Sequence, residues 1–315
     1  MRAKTVSTIA LLLSLCLLPT AIFAGPYGDP GIHADDAAFV GWATGYENYS
    51  FAAEVLPVWQ TPDKALGEPG GVFDVVTLGD RPDGDSGAPG EITLTFDIPI
   101  VNDAGPDFAV FENGLGSTEA LFGELGYVEV SSDGETFVRF PSASLIDDFV
   151  PQYGTFDATL VYNLAGSRTA FQGTLFDLED LVTYGLADDI DLAAITHVRI
   201  IDIPGSGAYT DQGALLGLDG DHPIYDPWPT IESGGFDLDA IGVLHTTATA
   251  FDDDDDTTDD DDVVSDDDDE ANDDDDVAPW QQDDDDAAGT DDDDQNGNTE
   301  TASGDDDDDD GGCGA

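Results

Sequence analysis

The stretch that decides the fold is Tyr127-Val-Glu-Val-Ser-Ser-Asp-Gly-Glu-Thr-Phe137. Residues 128–131 alternate between apolar and polar side chains, which is typical of a β-strand with one covered face. Asp133-Gly134 follows, and this pair favours a tight hairpin turn because glycine adopts positive φ at no steric cost. The pattern therefore predicts a β-hairpin made of strands 127–131 and 136–140.

Similar short apolar alternations lie on both sides of this hairpin and are separated by Gly, Pro, Asp and Asn. The predicted strands are 72–78, 91–96, 107–111, 197–203 and 236–244. Residues 47–56 and 188–195 are expected to form short helices or turns, and 147–154 a loop. Many short strands with little helical periodicity predict an all-β sandwich or barrel.

The order of these pieces resembles the discoidin-like, galactose-binding-like jelly rolls. Gly90-Glu-Ile-Thr-Leu-Thr-Phe-Asp97 is similar to their early strand, and the 127–137 stretch to their strand, turn and aromatic-led strand. His197-Val-Arg-Ile-Ile-Asp202 and Asp237-Leu-Asp-Ala-Ile-Gly-Val243 are similar to their two late strands. The resemblance implies a jelly-roll β-sandwich and leaves the activity open, since a fold does not fix a function.

Nearly all of residues 39–245 also resemble a group of bacterial secreted surface proteins. The blocks that carry this likeness are Ala65-Leu-Gly-Glu-Pro69, Pro106-Asp-Phe-Ala-Val-Phe-Glu-Asn113 and Ser233-Gly-Gly-Phe-Asp-Leu-Asp239. Many proteins of that group bear a C-terminal sorting signal. The resemblance therefore implies that the protein is located at the cell surface.

Residues 1–24 have the layout of a cleavable signal peptide. Arg2 and Lys4 precede an apolar run over 9–18, and Ala24 supplies the small residue before Gly25. The apolar run is too short for a bilayer, which needs about 20 residues. No later stretch is long enough either, so we expect export and no transmembrane helix in the mature chain.

The charge separates a body, 25–251, from a tail, 252–315. The formal net charge is -64, and the tail holds 31 Asp and 2 Glu without any Lys or Arg. Such a segment buries too little apolar surface to offset its chain entropy, so a disordered Asp-rich tail or stalk is predicted. Because the body is acidic as well, the chain should repel nucleic acid and anionic lipid and attract divalent cations.

Catalytic motifs are weak in this sequence. Gly84-Asp-Ser-Gly-Ala-Pro89 resembles the block around the nucleophile of trypsin-like proteases, but too few residues precede Ser86 to hold the barrel with its His and Asp partners. We interpret it as a loop. A glycosidase would need a pair of carboxylates across the scissile bond, and in so acidic a chain nearby pairs arise by chance.

Loops rich in oxygen ligands indicate calcium binding more strongly than any motif indicates catalysis. Leu218-Asp-Gly-Asp-His-Pro-Ile-Tyr-Asp226 contains Asp219, Asp221 and Asp226. Calcium takes six to eight oxygen ligands on flexible loops, so these carboxylates with loop carbonyls form one candidate site. Asp107 and Glu112, with Asn113, form a second candidate cluster. Solvated acidic loops without metal are the alternative.

Three aromatic residues, Tyr209, Tyr225 and Trp228, lie on the loops before the last predicted strand. Their faces are candidates for stacking on a sugar, with Trp42 and Trp59 as alternatives. The other interpretation is that these rings pack the sandwich or its rim.

The single cysteine beyond the signal, Cys313, excludes an internal disulfide in the mature chain. Gly311-Gly-Cys313 after six Asp resembles the opening of cysteine-containing C-terminal sorting signals, although the hydrophobic helix and basic cluster of those signals do not follow. We expect Cys313 to be a point of attachment or cross-linking, with an inert free thiol as the alternative.

Together these features predict a secreted or surface-held, non-catalytic module that binds a glycan or another surface ligand with the help of calcium. A structural matrix protein with a cation-binding tail is the first alternative. A secreted glycoside hydrolase is the second.

Overall fold

The computed structural model describes residues 31–52, 55–80, 88–230 and 234–247. The chain divides into two units, Met1–Asp254 and Asp255–Ala315, and every described residue belongs to the first. The predicted signal peptide, the Ser86 motif, the tail from 252 and Cys313 all lie outside the described residues.

The described residues are mostly β-strand. In chain order the strands are β1 (Ile32–His33), β2 (Gly41–Trp42), β3 (Gly45–Ser50), β4 (Val76–Thr77), β5 (Glu91–Ile100), β6 (Phe108–Glu112), β7 (Leu115–Ser117), β8 (Ala120–Phe122), β9 (Gly126–Ser131), β10 (Val138–Arg139), β11 (Ala143–Ser144), β12 (Val161–Tyr162), β13 (Gln172–Phe176), β14 (Ile195–Asp202) and β15 (Asp237–Val243).

Helices are few and short. The described ranges contain one α-helix, α1 (Glu179–Thr183), together with the 3-10 turns Pro57–Trp59, Pro62–Ala65, Ala158–Leu160 and Ala187–Asp189. Two of these turns begin with proline. The fixed φ of proline suits the first helical position, and a backbone N–H at that position would have no hydrogen-bond partner within the helix.

Two antiparallel sheets organise the fold. The first has the strand order β1-β13-β6-β15-β2, with β4 also paired to β15, and the second has the order β10-β9-β14-β5-β3. Two small ribbons, β11-β12 and β7-β8, complete the pairing. The prediction of an all-β fold is confirmed.

The main hydrophobic core takes side chains from both sheets. Phe108, Val110 and Phe176 come from the first sheet, and Leu94 and Val198 from the second. On β14, Val198 and Ile200 are buried while His197 and Arg199 are partly exposed, as the two-residue period of a strand requires. The fold is therefore sandwich-like, with the core between the two sheets.

A smaller apolar cluster covers the outer face of the first sheet. Phe39 and Trp42 stack with ring centroids 4.6 Å apart, and both rings lie 5.7 Å from Phe111. Ala109 and Ala240 belong to the same cluster. Because this face is covered, β6 and β15 are buried along their whole length.

Gly173 on β13 shows why that strand is absent from the sequence-based prediction. A Cβ at Gly173 would lie 2.9 Å from the ring of Phe111 and from the Cβ of Ala109, so only glycine allows the strand to approach β6 this closely. Gln172, Gly173 and Thr174 leave only Leu175 and Phe176 as apolar residues of the strand, so its pattern is weak. The reason for the glycine is visible only in the packing.

Five of the predicted strands are confirmed with small shifts of their ends. They correspond to β5, β6, β9, β14 and β15. The hairpin is also confirmed, because β9 pairs antiparallel with β10 and Val138 lies opposite Val130.

The hairpin turn is wider than predicted. Residues 132–137 separate its two strands, and β10 is only two residues long. The Asp133 carboxylate accepts the backbone N–H of Glu135 and Thr136 at 2.9 and 2.7 Å, and Gly134 has φ of 73°. The side chain of Asp133 therefore organises a six-residue loop, two residues longer than the four that separate the predicted strands.

The prediction of a helix or turn over 47–56 is wrong at its start, because β3 runs through Ser50 and pairs with β5. β3 is an edge strand and several of its side chains face solvent, so its polar sequence lacks the expected alternation. The predicted strand 72–78 shrinks to β4, since residues 72–74 form a turn. Residues 188–195 hold the end of a 3-10 turn and the first residue of β14.

Candidate ligand-binding pocket

One end of the sandwich opens into a pocket with a volume of about 250 Å³. Its walls come from the ends of β6, β7, β8 and β15 and from the loops near them. The lining residues are Trp59, Val72, Phe73, Glu112, Asn113, Leu115, Phe122, Gly123, Glu124, Tyr153, Thr230, Gly234 and Asp237. Acids and an amide thus share the pocket with aromatic rings.

A β-bulge sets the position of the acids at this end of the sheet. β15 pairs with β6 so that Leu238 lies opposite Glu112 and Ala240 lies opposite Phe111, which leaves Asp239 as the extra residue. Bulges re-aim side chains at the ends of strands. Along β6, Phe108 and Val110 point into the core, and Glu112 follows them on the same side at the end of the strand.

Asp237 is held at two oxygens. The hydroxyl of Thr77 donates to its Oδ1, and the amide of Asn113 donates to its Oδ2 at 2.9 Å. The same amide donates to the carbonyl of Val72 at 3.1 Å, which fixes the orientation of the Asn113 side chain. Burial raises the pKa of Asp237 to about 7, against the lowering effect of these hydrogen bonds.

Four polar residues, Glu112, Asn113, Glu124 and Asp237, form what we call the floor of the pocket. Glu124 contacts the segment just before β15. Its Oε1 accepts the backbone N–H of Gly235 at 2.9 Å, and that N–H also faces the hydroxyl of Thr230 at 2.9 Å. Thr230 in turn donates its N–H and hydroxyl to Asp80 at 3.0 and 2.5 Å. Burial and the neighbouring carboxylates, Asp237 first, raise the pKa of Glu124 well above its ordinary range.

Glu112 is the least satisfied acid of the pocket. Only 3 % of the residue is exposed, and its Oε2 has no hydrogen-bond partner. Burial, followed by the nearby charges of Asp237 and Asp239, raises its pKa well above 4.5, while the backbone N–H groups of Gly114 and Glu124 lower it. An unpaired buried acceptor is costly, so a donor on a ligand would stabilise this site.

Further acids lie behind the pocket, and each is held by backbone N–H groups. Leu125 donates to Asp226, Phe236 donates to Asp202, and Gly70 and Gly71 donate to Asp239. Burial raises the pKa of all three acids, that of Asp239 to about 6. The pocket therefore has a strongly negative surrounding whenever these groups are ionised.

The rim of the pocket is aromatic and open to solvent. Phe73 is 78 % exposed and Tyr153 is 70 % exposed. The rings of Phe122 and Tyr153 have centroids 6.3 Å apart. Tyr153 also has φ of 61°, a left-handed conformation that is strained for a bulky residue and is commonest at functional sites.

The predicted aromatic residues lie elsewhere. Tyr209 and Tyr225 pack against a buried cluster that contains Leu125, Tyr127 and Ile224. Trp228 contacts Phe149 edge to face with centroids 6.4 Å apart. None of the three lines the pocket, whereas Trp59, one of the two alternatives, does. The other alternative, Trp42, packs on the outer face of the first sheet.

The structure does not bring the residues of the first predicted calcium site together as one set of ligands. The side chain of Asp219 is 96 % exposed and bonds to His222, and Asp221 accepts the N–H of Ala214 at 3.0 Å. Asp226 is buried and bonded to Leu125. Asp211, which was not predicted, accepts two hydrogen bonds from His222 and orders this loop.

The second predicted calcium cluster is also divided. Asp107 and Glu112 flank β6 at opposite ends. Asp107 accepts bonds from the backbone of Asp103 and Leu178 and contacts His245 at 2.9 Å. In the described ranges no three His, Cys, Asp or Glu side chains converge as a metal site. Glu112 and Asn113, by contrast, do share one place, the pocket.

Sequence reasoning missed Glu124, Asp237, Phe73 and Tyr153. Two of the blocks shared with secreted surface proteins contain the floor residues Glu112, Asn113 and Asp237. These blocks are the part of the sequence that could indicate the site, although their resemblance implies only a location. Phe73 and Tyr153 lie in turns without a pattern of their own.

No model of a known protein family matches the chain. A search among curated proteins finds no match either. In the described part of the chain, no helix has the length and apolar character that crossing a membrane requires.

Proposed function

We propose that the protein is an exported, surface-held binding module that takes a glycan in this pocket and performs no reaction on it. The observation that supports this most is the combination of an exposed aromatic rim with a floor of carboxyl and amide groups. Sugars present apolar C–H faces that stack on aromatic rings and hydroxyl groups that bond to carboxylates and amides. The pocket offers both kinds of partner within one opening.

For the sandwich we also propose a jelly-roll, galactose-binding-like topology, which the resemblance of strands β5, β9, β14 and β15 supports. The signal-like residues 1–24 support export. A disordered tail of 64 residues from Asp252 would reach on the order of 200 Å, enough to present the pocket away from a surface to which Cys313 is attached.

Calcium belongs to the proposal as a ligand of the loop 218–226. Asp219 and Asp221 are exposed and lie two residues apart, so an ion could take both carboxylates and complete its shell with loop carbonyls and water. In this arrangement calcium would order the loop and would not contact the sugar directly.

The test is binding of the purified protein to a glycan array, once with calcium and once with chelator. Tyr153→Ala and Phe73→Ala should each weaken the best hit about tenfold, the loss expected when a stacking contact worth about 1.4 kcal/mol is removed. Tyr46→Ala is the matched control, because Tyr46 is an exposed tyrosine on β3 outside the pocket. Tyr225→Ala tests the aromatic residues that the sequence indicated.

Two results would contradict the proposal. If no glycan binds under either condition, the role of a structural surface protein becomes the better account. If Tyr225→Ala abolishes binding while Tyr153→Ala and Phe73→Ala leave it unchanged, a glycan is bound but at a different site.

A glycoside hydrolase is the second candidate, and the acids of the pocket favour it. A general acid must hold its proton near neutral pH, and burial raises the pKa of both Glu112 and Glu124 in that direction. Release of reducing ends from a bound oligosaccharide, lost in Glu112→Gln or Glu124→Gln, would establish this activity. Unchanged oligosaccharide after long incubation would support a binding module.

A further inference from the structure

The charged side chains among the described lining residues of the pocket are all acids. Lys64 lies beside the rim, where its ammonium group donates to the carbonyl of Phe73 at 3.1 Å and pairs with Asp74 at 3.3 Å. Glu112, Glu124 and Asp237 line the pocket, and none of its described lining residues is Lys, Arg or His. Asp237 and Glu124 already accept hydrogen bonds from Thr77, Asn113 and Gly235. The Oε2 of Glu112 accepts none, although the residue is more than nine-tenths buried.

Two glycines pack beside this oxygen. A Cβ at Gly114 would lie 3.0 Å from Oε2 of Glu112, and a Cβ at Gly123 would lie 3.4 Å from it. A Cβ at Gly114 would also lie 2.5 Å from the carbonyl oxygen of Arg168, so the backbone packs closely around the carboxyl group. Glu112 therefore supplies a buried, unpaired acceptor in the wall of the pocket.

We propose that the ligand carries an ammonium group that binds at Glu112, and that the proposed glycan is an amino sugar with unmodified amines. This inference rests on the proposed function and adds the chemical class of the ligand. An ammonium group has three donors and no acceptor, so it suits a floor made mainly of acceptors. The aromatic rim then covers the apolar face of the sugar ring that bears the amine.

The surroundings reinforce the preference for a cation. Four other acids act on Glu112 or Glu124 through their charge. Asp237 and Asp239 belong to β15, Asp80 follows β4, and Asp226 lies in the loop between β14 and β15. An arriving ammonium would favour the ionised form of Glu112, so binding should release protons.

The experiment is calorimetric titration of the full protein with three tetrasaccharides of β-1,4-linked units. One consists of glucosamine, the second of N-acetylglucosamine and the third of glucose. The glucosamine tetramer should bind at least tenfold more tightly than the other two. Its titration at mildly acidic pH, where the amines of this tetramer are already protonated, in two buffers of different ionisation enthalpy should show release of protons, which the acetylated tetramer should not.

Glu112→Gln supplies the decisive comparison, because it keeps the shape of the side chain and removes its charge. The variant should bring the glucosamine and N-acetylglucosamine tetramers to within about threefold of each other and should abolish the release of protons. Asp97→Asn, an exposed charge change on β5, is the control and should keep the full preference. Circular dichroism shows whether each variant is folded.

The outcomes separate this inference from the proposed function. Equal or tighter binding of the acetylated or glucose tetramer overturns the ammonium site and leaves a glycan module in place. Binding of none of the three tetramers overturns the amino-sugar inference, and a glycan array then decides the broader proposal. If cadaverine, a diamine without a sugar ring, competes as well as the glucosamine tetramer, the assignment to a sugar is wrong.

Discussion

Asp237→Asn should reduce the loss of stability that the wild-type protein shows as the pH rises. Asp237 is 6 % exposed, and burial raises its pKa from 3.8 to about 7. An acid that holds its proton more tightly in the folded state contributes its full stability below its unfolded pKa and loses that contribution as the pH rises through its folded pKa. For Asp237 the window runs from about pH 4 to about pH 7.

The magnitude follows from these two values. At about 1.4 kcal/mol for each pKa unit, the free energy of unfolding should fall by roughly 2 to 3 kcal/mol between pH 5 and pH 8 because of Asp237 alone. The neighbouring acids with raised pKa add to the same trend. Asparagine cannot ionise, so the variant should lose this part of the slope.

The substitution also lowers the free energy of unfolding by an amount that does not depend on pH. Its new amide replaces Oδ2, and the Asn113 amide that donates to Oδ2 would then face another donor. Loss of one buried hydrogen bond costs about 1 kcal/mol. Asp237→Asn should therefore be slightly less stable than the wild type at pH 5 and more stable at pH 8.

Urea unfolding at pH 5, 6, 7 and 8, followed by circular dichroism, measures both effects. Asp97→Asn, which removes an exposed charge on β5, should keep the wild-type slope. A wild-type protein that is more stable at pH 8 than at pH 5 would refute the reasoning. So would a variant with the slope of the wild type.

Three further predictions concern other parts of the chain. Phe108→Ala should lower the free energy of unfolding by about 3 to 5 kcal/mol in urea, because Phe108 is fully buried and stacks on Phe176 at 5.3 Å; a loss below 1 kcal/mol would contradict the assigned core. Calcium should raise the melting temperature, and Asp221→Ala should reduce that rise more than Asp97→Ala; calorimetry with equal melting temperatures in calcium and in chelator would exclude a calcium site. Cys313→Ser should release the protein from the cell envelope or abolish a reductant-sensitive dimer on gels, and identical behaviour of both forms would show that the thiol is not an attachment point.

The parts of the fold that sequence reasoning predicted are those with strong local patterns. β5 and β14 alternate clearly because one face of each packs into the core and the other is partly exposed. β3 lacked this signal because it lies at a sheet edge, and β13 lacked it because it begins with Gln172, Gly173 and Thr174. Short edge strands and close backbone contacts depend on tertiary packing, which a single sequence does not display.

The candidate site was harder to predict for a related reason. Its floor joins residues separated by more than one hundred positions, such as Asn113 and Asp237, which meet only through the pairing of β6 with β15. In a chain with 71 acidic residues, composition alone cannot single out the few that are buried together. The acidic loop 218–226 was predicted as a calcium site because its acids are close in sequence, whereas the pocket is formed by residues that are close only in space.

A crystal structure of the protein grown with its best-binding tetrasaccharide tests the central claim most directly. The account predicts a sugar ring stacked on Tyr153 or Phe73, with centroids about 4 to 5 Å apart, and a donor of that sugar about 3 Å from Oε2 of Glu112. An ordered sugar on Tyr209 and Tyr225, with only water beside Glu112, would contradict it.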